Sequence, residues 1–190
     1  MSDSQSTPFM LTEEQFLALD NTNPDLKKIE YDREKIQITM GTVGFISAFT
    51  ATILAIVVFW NQKKKFGKTF DAQADFIMPE GNHKIPDVAL VKFTEKLYDD
   101  RGFVAASPFL AIEVISQKHG LQHDLRKMTE HWIASGTRIG LVIDPYREQY
   151  HKFEPEVETY QTYPFSEPFT HPQLPGLEID FAQILQSAKE

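Results

Sequence analysis

The residues with the clearest potential for chemistry are two carboxylates, each set in a short apolar run. Asp87 precedes the run 88–91, and Glu113 interrupts the run 109–115. Short apolar runs of this length are typical of buried strands. A carboxylate in a buried strand is costly to desolvate unless a cation or a metal ion compensates its charge. Asp87 and Glu113 are therefore the first candidates for function.

A lysine near two such acids would complete the groups that phosphodiester hydrolysis requires. Magnesium held by two carboxylates neutralises a phosphate and activates water, and an ammonium can orient that water. Lys127, on the helix that follows Glu113, is the favoured lysine, and Lys118 on the preceding loop is an alternative. The competing interpretation is that both acids reach water or a structural arginine, and that Lys127 is a solvated helix lysine.

A third acid, Glu30, lies in one of two predicted strands near the N-terminus. Residues 12–15 form a capping-box pattern that predicts a helix from Glu13 to about Leu19. Residues 28–31 and 35–38 then alternate like two strands joined by a tight turn near Arg33. Glu30 fits either an exposed strand acid or an additional site acid, and the residues alone favour the exposed position.

The segment from Ile36 to Gln62 contains no charged residue. One interpretation is a transmembrane helix over 44–60, with the lysines at 63–65 as a cytoplasmic anchor. The other is a strand over 36–40, a turn over 41–44 and a helix of about 18 residues packed on a sheet.

The remaining elements alternate between strands and helices. The patterns predict a hairpin of 66–70 with 75–78, the strands of Asp87 and Glu113, a helix over 121–135, a strand over 138–143, a pair of 149–153 with 157–160, and a terminal helix from Asp180. This order indicates an α/β fold with a mixed sheet and excludes a doubly wound Rossmann sheet.

Composition limits the class of protein. A chain of 190 residues without cysteine fits one domain and excludes disulfides and thiolate metal sites. Residues 1–10 are polar and predicted to be disordered, and 11–190 to form the domain. The first residues lack the features of a signal peptide, so a cytoplasmic location is expected.

The net charge of −8 is unevenly distributed. Residues 1–34 hold eight acids and three bases, and 144–190 hold nine acids and three bases. The candidate residues Asp87, Glu113 and Lys127 lie in the mildly basic middle. This distribution permits DNA binding without predicting it.

Several motifs occur together in the order of one family. They are residues 11–16, Ile29-Glu30-Tyr31, residues 86–89, residues 111–116, residues 136–145 and residues 174–177. On these motifs the chain resembles the Uma-type family of restriction endonucleases in the PD-(D/E)xK nuclease superfamily. Two details differ from the family pattern: the spacing from Lys127 to Gly136 is one residue longer, and Gln117 replaces a proline after Ser116.

The resemblance implies a restriction-endonuclease-like mixed sheet flanked by helices. It also implies magnesium or manganese held by Asp87 and Glu113, with Lys127 orienting the attacking water and Glu30 assisting. DNA would be the substrate, the protein would pair as a homodimer, and 44–60 would pack on the sheet rather than enter a membrane. The alternatives are a catalytically inactive module that binds nucleic acid or protein, and a membrane-anchored protein.

Overall fold

The computed structural model describes residues 11–22, 29–32, 35–38, 42–94 and 96–190. Predictions for 1–10, for the turn at Arg33 and for residues 39–41 lie outside these ranges. The helices are α1 (Glu13–Thr22), α2 (Gly44–Lys64), α3 (Leu121–Lys127) and α4 (Phe181–Lys189). The strands are β1 (Ile29–Asp32), β2 (Lys35–Ile38), β3 (Gly67–Phe70), β4 (Phe76–Ile77), β5 (His83–Lys84), β6 (Val88–Lys92), β7 (Leu110–Val114), β8 (Ile139–Asp144), β9 (Gln149–Phe153), β10 (Gln161–Pro164), β11 (Phe169–Thr170) and β12 (Glu178–Ile179).

The central sheet has six strands in the order β10-β9-β8-β7-β6-β3. Strands β7 and β8 pair in parallel, and the other neighbours are antiparallel. A parallel pair needs a crossover connection, which α3 and the turn after it provide. The expected mixed α/β sheet is therefore confirmed.

Helices cover both faces of this sheet, because successive strand side chains point to opposite sides. Helices α2 and α4 pack against the face that contains Leu90, Ile112 and Leu141. The helix after β7 packs against the other face, which contains Ala89, Ala111 and Val142. Asp87 is two residues from Ala89, and Glu113 is two residues from Ala111. Both acids therefore lie on the face of the sheet that α3 covers.

Helix α2 packs on the sheet through one face. Its buried residues recur at helical spacing: Ile46, Phe49, Ile53, Val57 and Trp60. The packed-helix alternative thus describes its placement. By length and composition alone α2, with 21 residues and a mean hydropathy of 1.8, could also cross a membrane. Its side away from the sheet carries Phe59, which is 63% exposed.

A smaller sheet in the order β2-β1-β5-β4 lies beside the first. The predicted antiparallel pairing of β1 with β2 is confirmed, with Glu30 opposite Gln37. Strand β1 also pairs with β5 through Tyr31 and His83. Helix α1 extends past the predicted end at Leu19.

Two predicted strand pairs are wrong. Residues 66–70 and 75–78 do not form a hairpin: β3 pairs with β6 in the large sheet, and β4 pairs with β5 in the small one. A turn held by the Asp71 carboxylate, which accepts from the Gln73 N–H, carries the chain between the sheets. The partner of β9 is Gln161–Pro164 rather than 157–160, and this register stacks Tyr163 on Tyr150.

Candidate active site

Asp87 and Glu113 lie side by side on neighbouring strands. Val88 is opposite Ile112, so the same register places Asp87 opposite Glu113. The Asp87 N–H donates to the Ile112 carbonyl at 3.1 Å, and its Oδ2 accepts from the Val114 N–H at 2.7 Å. Asp87 precedes β6 rather than lying within it and is half-buried. The first bond fixes the backbone of Asp87 and the second fixes its carboxylate at the end of the strand pair.

Glu113 is buried on the face that α3 covers. Its Oε1 accepts from Trp132 Nε1 at 2.7 Å and lies 2.9 Å from Lys127 Nζ. The carboxylate is only 3% exposed, so its charge depends on these two donors.

Lys127, the last residue of α3, provides the compensating cation. Its Nζ donates to Glu30 Oε1 at 2.6 Å and to the Ile85 carbonyl at 2.9 Å, in addition to the contact with Glu113. An ammonium has three hydrogens, and these three acceptors account for all of them. Burial alone would lower the pKa of Lys127, but the charges of Glu113 and Glu30 outweigh it and raise that pKa above its ordinary value. The side chain is therefore charged at neutral pH.

Glu30 belongs to this cluster, and the prediction from the residues alone that it is exposed was wrong. It is 1% exposed, and its Oε1 also accepts from the Ile85 N–H at 2.9 Å. The alternating pattern of β1 separates its two faces, but it does not show which face is covered by other elements of the protein. The resemblance had implied an additional acid at this position.

A π-helical turn lies between Lys127 and Gly136, where the resemblance implied a spacing one residue longer than the family pattern. Residues Met128–Ile133 form the turn, and the Ala134 N–H donates to the Thr129 carbonyl, five residues back. A π-helical turn takes up an added residue locally and recurs at functional sites. Lys127, directly before the turn, and Trp132, within it, both reach Glu113.

The cluster forms one wall of a cleft of about 820 Å³ between α2, α3 and the ends of β3 and β7. Among the described lining residues are five carboxylates and one lysine: Glu30, Asp71, Asp87, Glu113, Asp124 and Lys127. The alternative lysine, Lys118, is exposed and is not among the described lining residues.

Sequence reasoning missed two residues of this site. His123 lines the cleft one helical turn before Lys127, a spacing of four that could have identified it. Partial desolvation, and next the charge of Lys127, lower the pKa of His123, although its side chain is exposed to solvent. Trp132 had no such pattern, because its contact with Glu113 depends on the π-helical turn.

The donor set fits a magnesium ion held mostly by non-protein ligands. Among the described residues, no three His, Asp or Glu side chains group closely enough to form a metal cage. Magnesium is commonly held by one or two carboxylates, with water and substrate phosphate completing its coordination. Asp87 and Glu113 could supply two such carboxylates, and the excess of acids in the cleft favours a cation there.

The chain matches the model of one protein family, and a solved structure shares its fold. The model of Uma2, described as "Putative restriction endonuclease", matches residues 13–184. The crystal structure of "a putative nuclease belonging to DUF820" from Anabaena variabilis ATCC 29413 is similar, with a TM-score of 0.73 and 17% identity. The similarity covers 94% of this chain and 99% of that one. No curated protein matches the chain.

Proposed function

The chain belongs to the Uma2 family of restriction-endonuclease-like proteins, and we propose that it hydrolyses DNA phosphodiester bonds with magnesium or manganese. The observation that carries the proposal is the meeting of Asp87 and Glu113 at one end of a strand pair, with the Lys127 ammonium 2.9 Å from Glu113. Family membership by itself supports a nuclease-like function. The metal, the DNA substrate and the residue roles are the proposal's own content.

The divalent ion would be held by Asp87 and Glu113 and, when bound, would neutralise the scissile phosphate and lower the pKa of an attacking water. An acidic cleft repels a phosphodiester, so a bound cation would be a condition for substrate entry.

Lys127 acts in this proposal as a fixed positive charge. Because its pKa is raised, the ammonium is not available as a general base. It holds Glu113 in place and stabilises the negative charge that develops on the phosphate. To orient water as well, it would have to exchange one of its three protein acceptors for that water.

Glu30 assists by fixing Lys127. Its carboxylate bridges the ammonium and the Ile85 N–H. Since Ile85 is two residues before Asp87, this bridge ties the lysine to the segment that carries the first acid. Glu30 is therefore a positioning residue in this proposal.

The test is plasmid cleavage by purified protein with magnesium, with manganese and with a chelator. We expect nicking that the chelator abolishes, and loss of nicking in Asp87→Asn and Glu113→Gln. The matched control is Asp100→Asn, at an exposed turn position, which should cleave like the native protein. Equal cleavage by native protein and Asp87→Asn, or none at high concentration with either metal, would contradict the proposal.

A catalytically inactive binding module is the second candidate. The observation that favours it is the full satisfaction of Lys127 by protein acceptors, as in a structural ion cluster. Such a module would bind an oligonucleotide without cleaving it and would show no magnesium heat in calorimetry.

We further propose that the protein is a cytoplasmic homodimer. Only 28% of the most apolar stretch of α2 is buried, and the exposed Phe59 belongs to its uncovered side. Contiguous uncovered apolar surface of this kind supports a subunit contact there. Sedimentation equilibrium of the native protein and of Phe59→Lys tests this proposal, with a shift to monomer expected for the variant.

A further inference from the structure

A second cleft lies at the opposite end of the strand pair β3–β6. It has a volume of about 370 Å³, and three lysines, Lys68, Lys92 and Lys96, line it. All three are exposed, and they lie on two strands and the loop that follows β6. We name this surface, together with Phe93 and Tyr98, the lysine patch.

The lysine patch carries exposed aromatic rings as well as positive charge. Phe93 is 62% exposed and Tyr98 is 40% exposed. The Lys68 ammonium lies 5.2 Å from the centre of the Tyr98 ring and 3.4 Å from its hydroxyl oxygen. An exposed phenylalanine next to lysines offers a stacking surface beside charges that contact phosphates.

The charge of the surrounding sequence strengthens this pattern. Residues 60–70 contain four lysines and no acid, and residues 88–98 contain two lysines and one acid, Glu95, which lies outside the described residues. The chain as a whole carries a net charge of −8. A local positive surface on an acidic protein is the electrostatic footprint expected where a polyanion binds.

The strand pair places the lysine patch in line with the acidic cleft. Gly67 pairs with Lys92 at the patch end of the two strands. Asp71, directly after β3, and Asp87, directly before β6, lie at the opposite end and line the acidic cleft. Lys68 lies opposite Val91, which is four residues from Asp87 and on the same face of the sheet, a distance of about 13 Å along a strand. A stacked nucleic-acid strand covers that length in about four nucleotides.

The acidic cleft itself cannot supply affinity for a polyanion. Five carboxylates and one lysine line it among the described residues, so phosphates would be held only after a cation binds. A nuclease with such a cleft needs positive charge elsewhere along the path of its substrate.

We propose that the lysine patch binds a single strand of nucleic acid, with Lys68, Lys92 and Lys96 contacting phosphates and Phe93 stacking on a base. A single strand fits better than a duplex, because exposed rings stack on bases that are not already stacked in pairs. Binding at the lysine patch does not depend on DNA hydrolysis. Only the path of the bound strand toward the acidic cleft rests on the proposed function.

The experiment measures binding of a fluorescent oligothymidylate of about 15 nucleotides, within the range of site sizes for such surfaces, by anisotropy in the presence of a chelator. We expect Phe93→Ala to weaken binding about 5- to 150-fold, as loss of base stacking does elsewhere. Its matched control is Tyr160→Ala, because Tyr160 is an exposed aromatic residue (41%) that lies outside the lysine patch. Tyr160→Ala should bind like the native protein.

A second pair of variants tests the charges. Lys92→Gln with Lys96→Gln should make the slope of log K against log salt shallower by about 1.4, since each phosphate contact to a single strand contributes about 0.7. The control combines Arg138→Gln with Lys189→Gln, two exposed bases outside the patch. That control should leave the slope unchanged.

Three outcomes would overturn the proposal: no binding by the native protein, patch variants that bind like it, or controls that weaken binding equally. Binding to vesicles of anionic lipid without binding to the oligonucleotide would assign the patch to a membrane surface instead. Because the assay contains no metal, its result is independent of cleavage. If binding depends on the lysine patch but the plasmid is not nicked, the proposed hydrolysis is refuted, while single-strand binding by the lysine patch is supported.

Discussion

Lys127 is held between two carboxylates in a buried cluster. Glu30 and Glu113 both lie within 3 Å of its ammonium, and all three side chains are nearly fully buried. Burying such a group is costly, and the cost is offset only while every member is present. The cluster therefore couples the stability of the protein to the residues proposed for its chemistry.

Lys127→Met should destabilise the protein by about 3–5 kcal/mol, because it leaves two buried carboxylates without their cation. The free energy of unfolding from urea titration, followed by tryptophan fluorescence, measures this loss. Lys118→Met, at an exposed position, is the control and should change stability by less than about 0.5 kcal/mol. Equal stability of the two variants would show that the ammonium does not compensate these acids.

Glu30→Gln in the Lys127→Met background should recover part of that stability, because one of the two unpaired charges is then removed. The recovery should appear in unfolding but not in DNA cleavage. Recovery of cleavage would contradict the role given to the ammonium.

His83 forms a second buried ionic contact that links α1 to the small sheet. Its Nδ1 lies 2.7 Å from Asp75 Oδ2, and its Nε2 lies 3.4 Å from Glu13 Oε1. Burial alone would lower the pKa of His83, but the hydrogen bond and charge of Asp75, with those of Glu13, raise it above the ordinary value.

A raised pKa in the folded state stabilises the protein at low pH. The contribution is fully present below the pKa of histidine in the unfolded chain and is lost as the pH rises through the folded value. Native protein should thus lose more stability between about pH 6 and pH 9 than His83→Gln does. Unfolding at both pH values measures the difference, with the exposed His119→Gln as control. A larger loss in His83→Gln than in the native protein would reverse the assigned sign.

At the scale of elements, apolar runs predicted where strands lie better than which strands pair. The strands of residues 88–91 and 110–114 follow directly from such runs, and so does the placement of Asp87 beside Glu113. The partner of β3 was not predictable, because alternation in residues 66–70 and 75–78 fits a hairpin as well as two separate sheets. Strand pairing depends on distant segments whose burial local patterns do not report.

The candidate site shows the same limit. Asp87 and Glu113 were candidates because acids in apolar runs are costly, and Lys127 because it lies on the helix that follows. The structure places Asp87 opposite Glu113 and Lys127 within 2.9 Å of Glu113, and their roles stay predictions. Trp132 could not be identified, because its direction depends on a local change of helix type. Ordinary helical periodicity would place it on a different side of the helix.

Deletion of Glu130 tests the π-helical turn. The residue is exposed and lies within the turn, so its removal should leave an α-helical turn while Lys127 and Trp132 keep their contacts. We expect a loss of unfolding free energy of about 1 kcal/mol or less, the centre of the distribution for single point changes. Circular dichroism and thermal unfolding measure it.

The control is deletion of Thr52 from the regular helix α2. There the following side chains rotate by about 100°, which moves Ile53, Val57 and Trp60 out of the core. This variant should fail to fold. If deletion of Glu130 is equally damaging, the turn is an integral part of the helix rather than an absorbed extra residue.

At the scale of the whole molecule, the two interpretations of α2 are a helix packed on the sheet and a helix that crosses a membrane. Phe49 is fully buried against the sheet and α4, whereas Phe59 on the same helix is 63% exposed. The two positions are chemically alike and differ only in what covers them.

Phe49→Lys should destabilise the fold by more than about 4 kcal/mol because it buries an unpaired charge. Phe59→Lys should leave the free energy of unfolding of the single subunit nearly unchanged, apart from any contribution of subunit association. The native protein should also remain in the supernatant after cell lysis without detergent. Sedimentation of native protein with membranes, together with equal tolerance of both substitutions, would instead favour the membrane-anchored alternative.

Gly140 on β8 sets the distance between the sheet and the helix that carries the site lysine. A β-carbon at this position would overlap the Met128 sulfur and come within 3.2 Å of the Phe153 β-carbon. Met128 is fully buried and directly follows Lys127, so Gly140→Ala should disturb the packing beneath the lysine-bearing helix. The absence of a single methyl group on β8 thus lets this helix pack closely on the sheet.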